Sequence, residues 1–181
     1  MHLAEPNAVA GFVTVVNDNS VSYDLVLLAH VLAAVAALVA VVASGSFALV
    51  LRGTLRSGRP LTDPVVRYFR PGVNWVGRVL FAVPVLGVAL IAMGRGAWSW
   101  SDTWISMGMG VWAVVAVIAE AVLWPGERRL QAVVADRSGG PPGEGADRSG
   151  AEAAACLRTG LVGLGLGVAL VAVAVLMVAK P

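Results

Sequence analysis

The chain has 181 residues, 58% hydrophobic and 13% charged, with a net charge of +2 and a mean hydropathy of +0.81. Soluble domains carry about a quarter charged residues, so the composition argues against an ordinary soluble fold. It does not argue for a nucleic-acid partner, because the arginines flank apolar runs where membrane topology alone accounts for them. The single cysteine, Cys156, leaves no internal disulfide and no paired-cysteine metal site.

Residues 1–21 read as a tail. They contain no Lys or Arg but do contain Glu5 and Asp18. A secretory signal needs a basic stretch before its apolar core, so the first helix is expected to stay in the mature protein. Ser22 and Asp24 suit the start of that helix, as a cap and as an anion in its first turn.

Four apolar runs follow, about 23–51, 74–93, 104–124 and 157–179. Each is long enough to cross a bilayer. The expected fold is all-α, an up-down four-helix transmembrane bundle over 22–181. The first run, at about 1.5 Å per residue, would reach about 44 Å against a hydrocarbon core of about 30 Å. It either projects beyond the membrane or bends near Ser44, Gly45 and Ser46.

The gaps set the orientation. The first holds Arg52, Arg56, Arg59, Arg67 and Arg70; the third holds Arg128, Arg129, Arg137 and Arg148, with Arg158 at its edge. The second holds only Arg95, and the C-terminus only Lys180. The positive-inside rule then puts the first and third loops in the cytoplasm and both termini outside a bacterial inner membrane. Trp98, Trp100 and Trp104 would mark the outer interface, and Trp75 and Trp124 the inner one; Trp112 would pack mid-span.

Within the first loop, Thr62-Asp63-Pro64 signals a helix start, and the segment to Arg70 reads as an interfacial turn against anionic headgroups. Pro84 should kink the second span, and Ser101-Asp102 should cap the third. The third loop repeats Ala-Asp-Arg-Ser-Gly at 135–139 and 146–150 around a Gly/Pro stretch. That composition predicts a flexible loop over about 135–152. In the fourth span Gly163 and Gly167 form a small-xxx-small pair for close helix packing, within the chain or across a homodimer or membrane-complex partner.

Four kinds of residue carry candidate chemistry. Arg78 and Glu120 lie at matching depths on antiparallel spans and are expected to form a bidentate intramembrane ion pair; a proton-coupled step there is the alternative. His30 is the only histidine in a span, either packed against a neighbouring backbone group or a ligand to haem or copper. Self-contained bis-histidine haem would need a second intramembrane histidine, and His2 is in the tail. Met93, Met107, Met109 and Met177 share the outer half with His30. Thioether with imidazole suits Cu(I), although methionine also fills irregular packing. Nothing matches a phosphate loop, a dinucleotide fingerprint, a nucleophile elbow or a zinc-protease motif, and no inverted repeat outlines a transport path. The expectation is a small membrane protein with no bound cofactor and no evident catalytic motif, free-standing or an accessory subunit.

Tyr23-Asp24-Leu25, Ala29-His30-Val31-Leu32, the arginine-rich first loop, Arg70-Pro71-Gly72 and Glu127-Arg128-Arg129-Leu130 resemble an uncharacterised bacterial family of four-helix integral membrane proteins. The resemblance covers about 22–180 and its motifs are moderately specific. The early histidine is also distantly similar to the copper-resistance membrane domain and the membrane-bound protoporphyrinogen oxidase group. That likeness implies a metal or haem role for an intramembrane histidine, which only His30 could take; the other polar residues of that enzyme are not evident.

Overall fold

The computed structural model describes residues 6–94, 99–139 and 149–179, and the side chains of all of these except 6–20, 139 and 149. His2, Arg95, Trp98, Arg148, Lys180 and the Gly/Pro stretch of the third loop lie outside the described residues. All regular structure among the described residues is helical. Four stretches are long and apolar enough to cross a membrane: Val21–Ser57, Trp75–Met93, Thr103–Ser138 and Gly150–Ala179. The protein is an all-α bundle of the multi-pass membrane class.

The first span belongs to α1 (Pro6–Ser57), which runs unbroken through Ser44, Gly45 and Ser46 and through Ser22. No helix starts at Ser22 and none breaks at Gly45. The reason is packing. Ser44 and Gly45 are buried, and backbone in an apolar medium must keep its hydrogen bonds internal. The small residues therefore serve close approach to another helix instead of an interruption. A 37-residue span rises about 56 Å, so the helix projects well past a core of about 30 Å.

The projecting end is covered. Helix α2 (Asp63–Tyr68) starts after an extended Thr62 with Pro64 in its first turn. Its Val65, and Phe69 just beyond it, are each only 1% exposed. They pack with Leu51, Leu55, Leu130 and Cys156 in a small second core. The apolar side of this segment folds onto the bundle, because its side chains find a protein groove. Arg67 and Arg70 stay exposed.

The second span comprises α3 (Trp75–Arg78), a 3-10 turn (Val79–Phe81) and α4 (Ala82–Met93). Pro84 lacks the N–H that would reach the Leu80 carbonyl. The turn tightens just before it, and Trp112 Nε1 donates to that carbonyl at 3.0 Å. This is the mid-span packing expected of Trp112.

The third span joins α5 (Thr103–Ile118), a π-helical stretch (Ala119–Leu123) and α6 (Trp124–Gly139). Asp102 precedes it in extended conformation but makes no side-chain cap; its Oδ2 accepts from Ser99 N at 2.9 Å instead. Helix continues to Gly139 and resumes in α7 (Ser149–Ala179). Much of the loop expected over 135–152 is therefore helix. Arg137 donates to Glu152 at 2.6 Å, joining the two helix ends.

The first and fourth spans make the most extensive contact. Glycines allow it. A Cβ on Gly163 would lie 2.8 Å from Gly45 Cα, and one on Gly45 would lie 2.9 Å from the Gly160 carbonyl oxygen. Gly167 receives Val42 in the same way. On the opposite side, Phe81, Trp112 and Trp124 fill the space between the second and third spans, with Phe81–Trp centroid distances of 6.2 and 5.8 Å.

Candidate functional site

The polar chemistry concentrates at the arginine-rich end. Asn74 caps the second span, accepting from Gly77 N through Oδ1 at 3.3 Å. Its amide then faces the third span and donates to Glu127 Oε1 at 3.2 Å. Tyr68, at the end of α2, donates its hydroxyl to the same oxygen at 3.1 Å. Glu127 is only 5% exposed. Burying a carboxylate is costly unless donors satisfy it, and here two neutral donors from separate elements converge on one oxygen. Burial pushes the Tyr68 phenol well above the ordinary tyrosine range, and the adjacent Glu127 carboxylate pushes it the same way. Tyr68 also stacks on Phe47 at a centroid distance of 4.4 Å, which ties the cluster to α1.

Nearer the membrane, Arg78 Nη1 lies 2.6 Å from Glu120 Oε1. The pair expected from the sequence is present but rests on one short contact instead of two. The cause is Trp124: the Arg78 guanidinium carbon sits 3.9 Å over its ring centroid. A guanidinium lying on an aromatic face turns only part of its edge to a carboxylate. Trp124 is 5% exposed and faces the bundle, whereas Trp75 is 74% exposed and is placed as an interface residue would be. Glu120 stands in the π-helical stretch, a rare local feature frequent at functional sites.

Asn74, Arg78, Trp124, Glu127, Arg128 and Gln131 border a recess of about 40 Å³. Pockets for small organic ligands run to about 300–1,000 Å³, so this one suits water or a small ion.

His30 sits apart from this cluster. Its Nδ1 lies 3.0 Å from the Val83 carbonyl oxygen, and its ring covers Gly87, where a Cβ would stand 3.4 Å from Cε1. A carbonyl oxygen only accepts, so Nδ1 is the donor in this contact, and Nε2 takes no part in it. The methionines do not gather with it. Met93 lies about 9 Å further along the second span than Gly87 by helical rise. Met107 is 52% exposed, and Met177 packs its methyl where a Cβ on Gly108 would fall. Met109, two residues from Met107 on the same helix, points to a different side. Among the described residues no group of three His, Cys, Asp or Glu side chains could hold a metal ion. Gly163 and Gly167 serve the contact between the first and fourth spans described above.

Tyr68 and Asn74 carry no candidate role in the sequence, and Glu127 enters only through the Glu127-Arg128-Arg129-Leu130 stretch of the resemblance. One signal was available: Glu127 lies seven residues beyond Glu120, two turns along the same helical face. Its place within a charged Glu-Arg-Arg triplet disguised it as surface.

The chain matches no protein-family model, and neither a curated protein nor a solved structure similar to it was found.

Proposed function

We propose that this protein is a non-catalytic membrane component that works as an accessory subunit, packing against other membrane proteins. One observation carries the reading: the outer halves of the first and fourth spans contribute no buried side chain, while the core there is limited, among the described residues, to Leu90, Ile105 and Gly108 of the second and third spans. No residue from Val21 to Leu32 is buried, and none from Val168 to Ala179. Leu25, Leu28 and Leu32 are 61%, 55% and 59% exposed and lie on one helical stripe. Opposite the arginines, the first and fourth spans thus offer long apolar faces on which no side chain is fully buried. Meanwhile three polar groups deep in the spans are committed internally: Arg78 to Glu120, His30 to Val83, Trp112 to Leu80. Such commitments are what structure requires of polar groups in a bilayer. The expected setting is the cytoplasmic membrane, with the arginine-rich end inside.

Photo-crosslinking from Leu28 and Leu32 in native membranes tests this. A discrete adduct to one membrane protein is expected from these positions and not from Val114, on the third span. Adducts to lipid alone would overturn the reading.

A second reading has one specific observation behind it. The Nδ1 contact to the Val83 carbonyl fixes the ring and leaves Nε2 free, the arrangement common for histidines that bind metal or haem iron. It also agrees with the likeness to the copper-resistance and protoporphyrinogen oxidase groups. Protein purified in mild detergent would then show a haem band or stoichiometric copper that is lost in His30→Ala. A colourless, metal-free wild type would end this reading.

A further inference from the structure

Between the third and fourth spans, at the arginine-rich end, a recess of about 90 Å³ is lined by Pro125, Gly126, Arg129, Arg158 and Thr159, with Ala121 and Val122 on its membrane side. One water needs about 10–15 Å³, so the space admits a tetrahedral oxyanion. The two arginines come from different helices and converge on this one recess. The nearby acids are committed elsewhere: Glu120 to Arg78, Glu127 to Tyr68 and Asn74, Glu152 to Arg137. Among the described residues, neither Arg129 nor Arg158 has a carboxylate within ion-pair distance. Two cations facing one cleft without a counter-charge repel each other unless an anion joins them. Gly126 keeps the cleft open toward a hydroxyl, since a Cβ there would stand 2.5 Å from Thr159 Oγ1.

We propose that this recess binds the phosphate of an anionic phospholipid. Arg129 and Arg158 grip the phosphate oxygens through their guanidinium forks, and the Thr159 hydroxyl donates to a further oxygen. The site's walls pass from charged to apolar within about two turns, from Arg129 back to Val122 and Ala121. That gradient matches a headgroup with its acyl chains beside the span, and basic pockets between spans are known lipid sites. A free phosphate ion would use the arginines but gain nothing from the apolar wall.

Full-length protein in detergent, titrated with phosphatidylglycerol and followed by native mass spectrometry, tests the site. Each arginine is expected to contribute about fivefold in affinity. Arg129→Gln with Arg158→Gln should therefore weaken the tightest bound lipid by about 25-fold. Arg56→Gln with Arg67→Gln, exposed and outside the recess, should change it less than about twofold. Equal weakening by both pairs would show diffuse charge attraction and overturn the site. Binding of phosphatidylcholine as tight as phosphatidylglycerol would also overturn it. Displacement by millimolar inorganic phosphate would assign the recess to the free ion instead. If the glutamine pair fails to fold, Arg129→Lys with Arg158→Lys keeps the charge but loses the forks. An affinity between wild type and the Arg56/Arg67 control in that variant would count against the site, and a loss of several-fold would support it.

Discussion

Glu127 is held by neutral donors, and that determines how it responds to substitution. Glu127→Ala removes the acceptor and leaves the Tyr68 hydroxyl and the Asn74 amide without a partner; each orphaned group costs about 1–3 kcal/mol. Glu127→Gln keeps a carbonyl oxygen in place and removes a buried charge, so its cost should stay below about 1 kcal/mol. Thermal melts in one detergent separate the two, and equal losses would contradict the account. Tyr68 adds a pH signature. Its folded phenol titrates above the value of about 10 for an unfolded tyrosine. On raising the pH the unfolded chain therefore loses its proton first. The stability tied to this residue is complete below about pH 10 and declines above it. The melting temperature of the wild type should fall more steeply from pH 10 to 11.5 than that of Tyr68→Phe; parallel curves would remove Tyr68 from the explanation. For Arg78 and Glu120, whose side chains are 31% and 49% exposed, a double-mutant cycle should return a coupling of only about 0.2–1 kcal/mol.

Packing within and between helices rests on two contrasts in the same chain. A Cβ on Gly163 meets backbone of α1 at 2.8 Å, whereas one on Gly165 meets nothing within 4 Å. Gly163→Ala should therefore destabilise by about 1–3 kcal/mol through overpacking. Gly165→Ala should be neutral or stabilising by up to about 1 kcal/mol, as expected for replacing a helical glycine. A reversal of that order would mean that the first and fourth spans are not in this register. Pro84 and Trp112 form the second contrast. Trp112→Phe leaves the Leu80 carbonyl without its donor and should cost about 1–3 kcal/mol. In a Pro84→Ala background the helix restores its own donor to Leu80, so the same change should cost less. These elements also show what the sequence could reveal. The Pro84 disturbance, the Thr62-Asp63-Pro64 helix start and the Gly163/Gly167 pair were legible, because each is a local rule of backbone geometry. The partner of each was not, because Gly45, Trp112 and Leu51 are brought there by tertiary packing over long separations. The same limit explains why the start of α1 was placed at Ser22: a cap-like dipeptide carries no information about helix that continues on its far side.

At the scale of the whole molecule, charge and hydropathy sufficed for the span count and for the depth match of Arg78 with Glu120. They could not reveal that most of the buried core lies toward the arginine-rich end. That asymmetry comes from where small residues let α1 and α7 approach, at Gly45, Gly160 and Gly163, and from the inward fold of α2 over the projecting helix ends. The arginine-rich end holds the Glu127 and Arg78 clusters, and the outer halves of the first and fourth spans leave the apolar faces on which the accessory role depends. The most direct test is the mass of the intact particle released from native membranes in polymer-bounded nanodiscs. The account predicts the 18.6 kDa chain together with a second membrane protein in fixed ratio. A particle holding this chain alone, or this chain with a bound haem or metal and no partner, would contradict it.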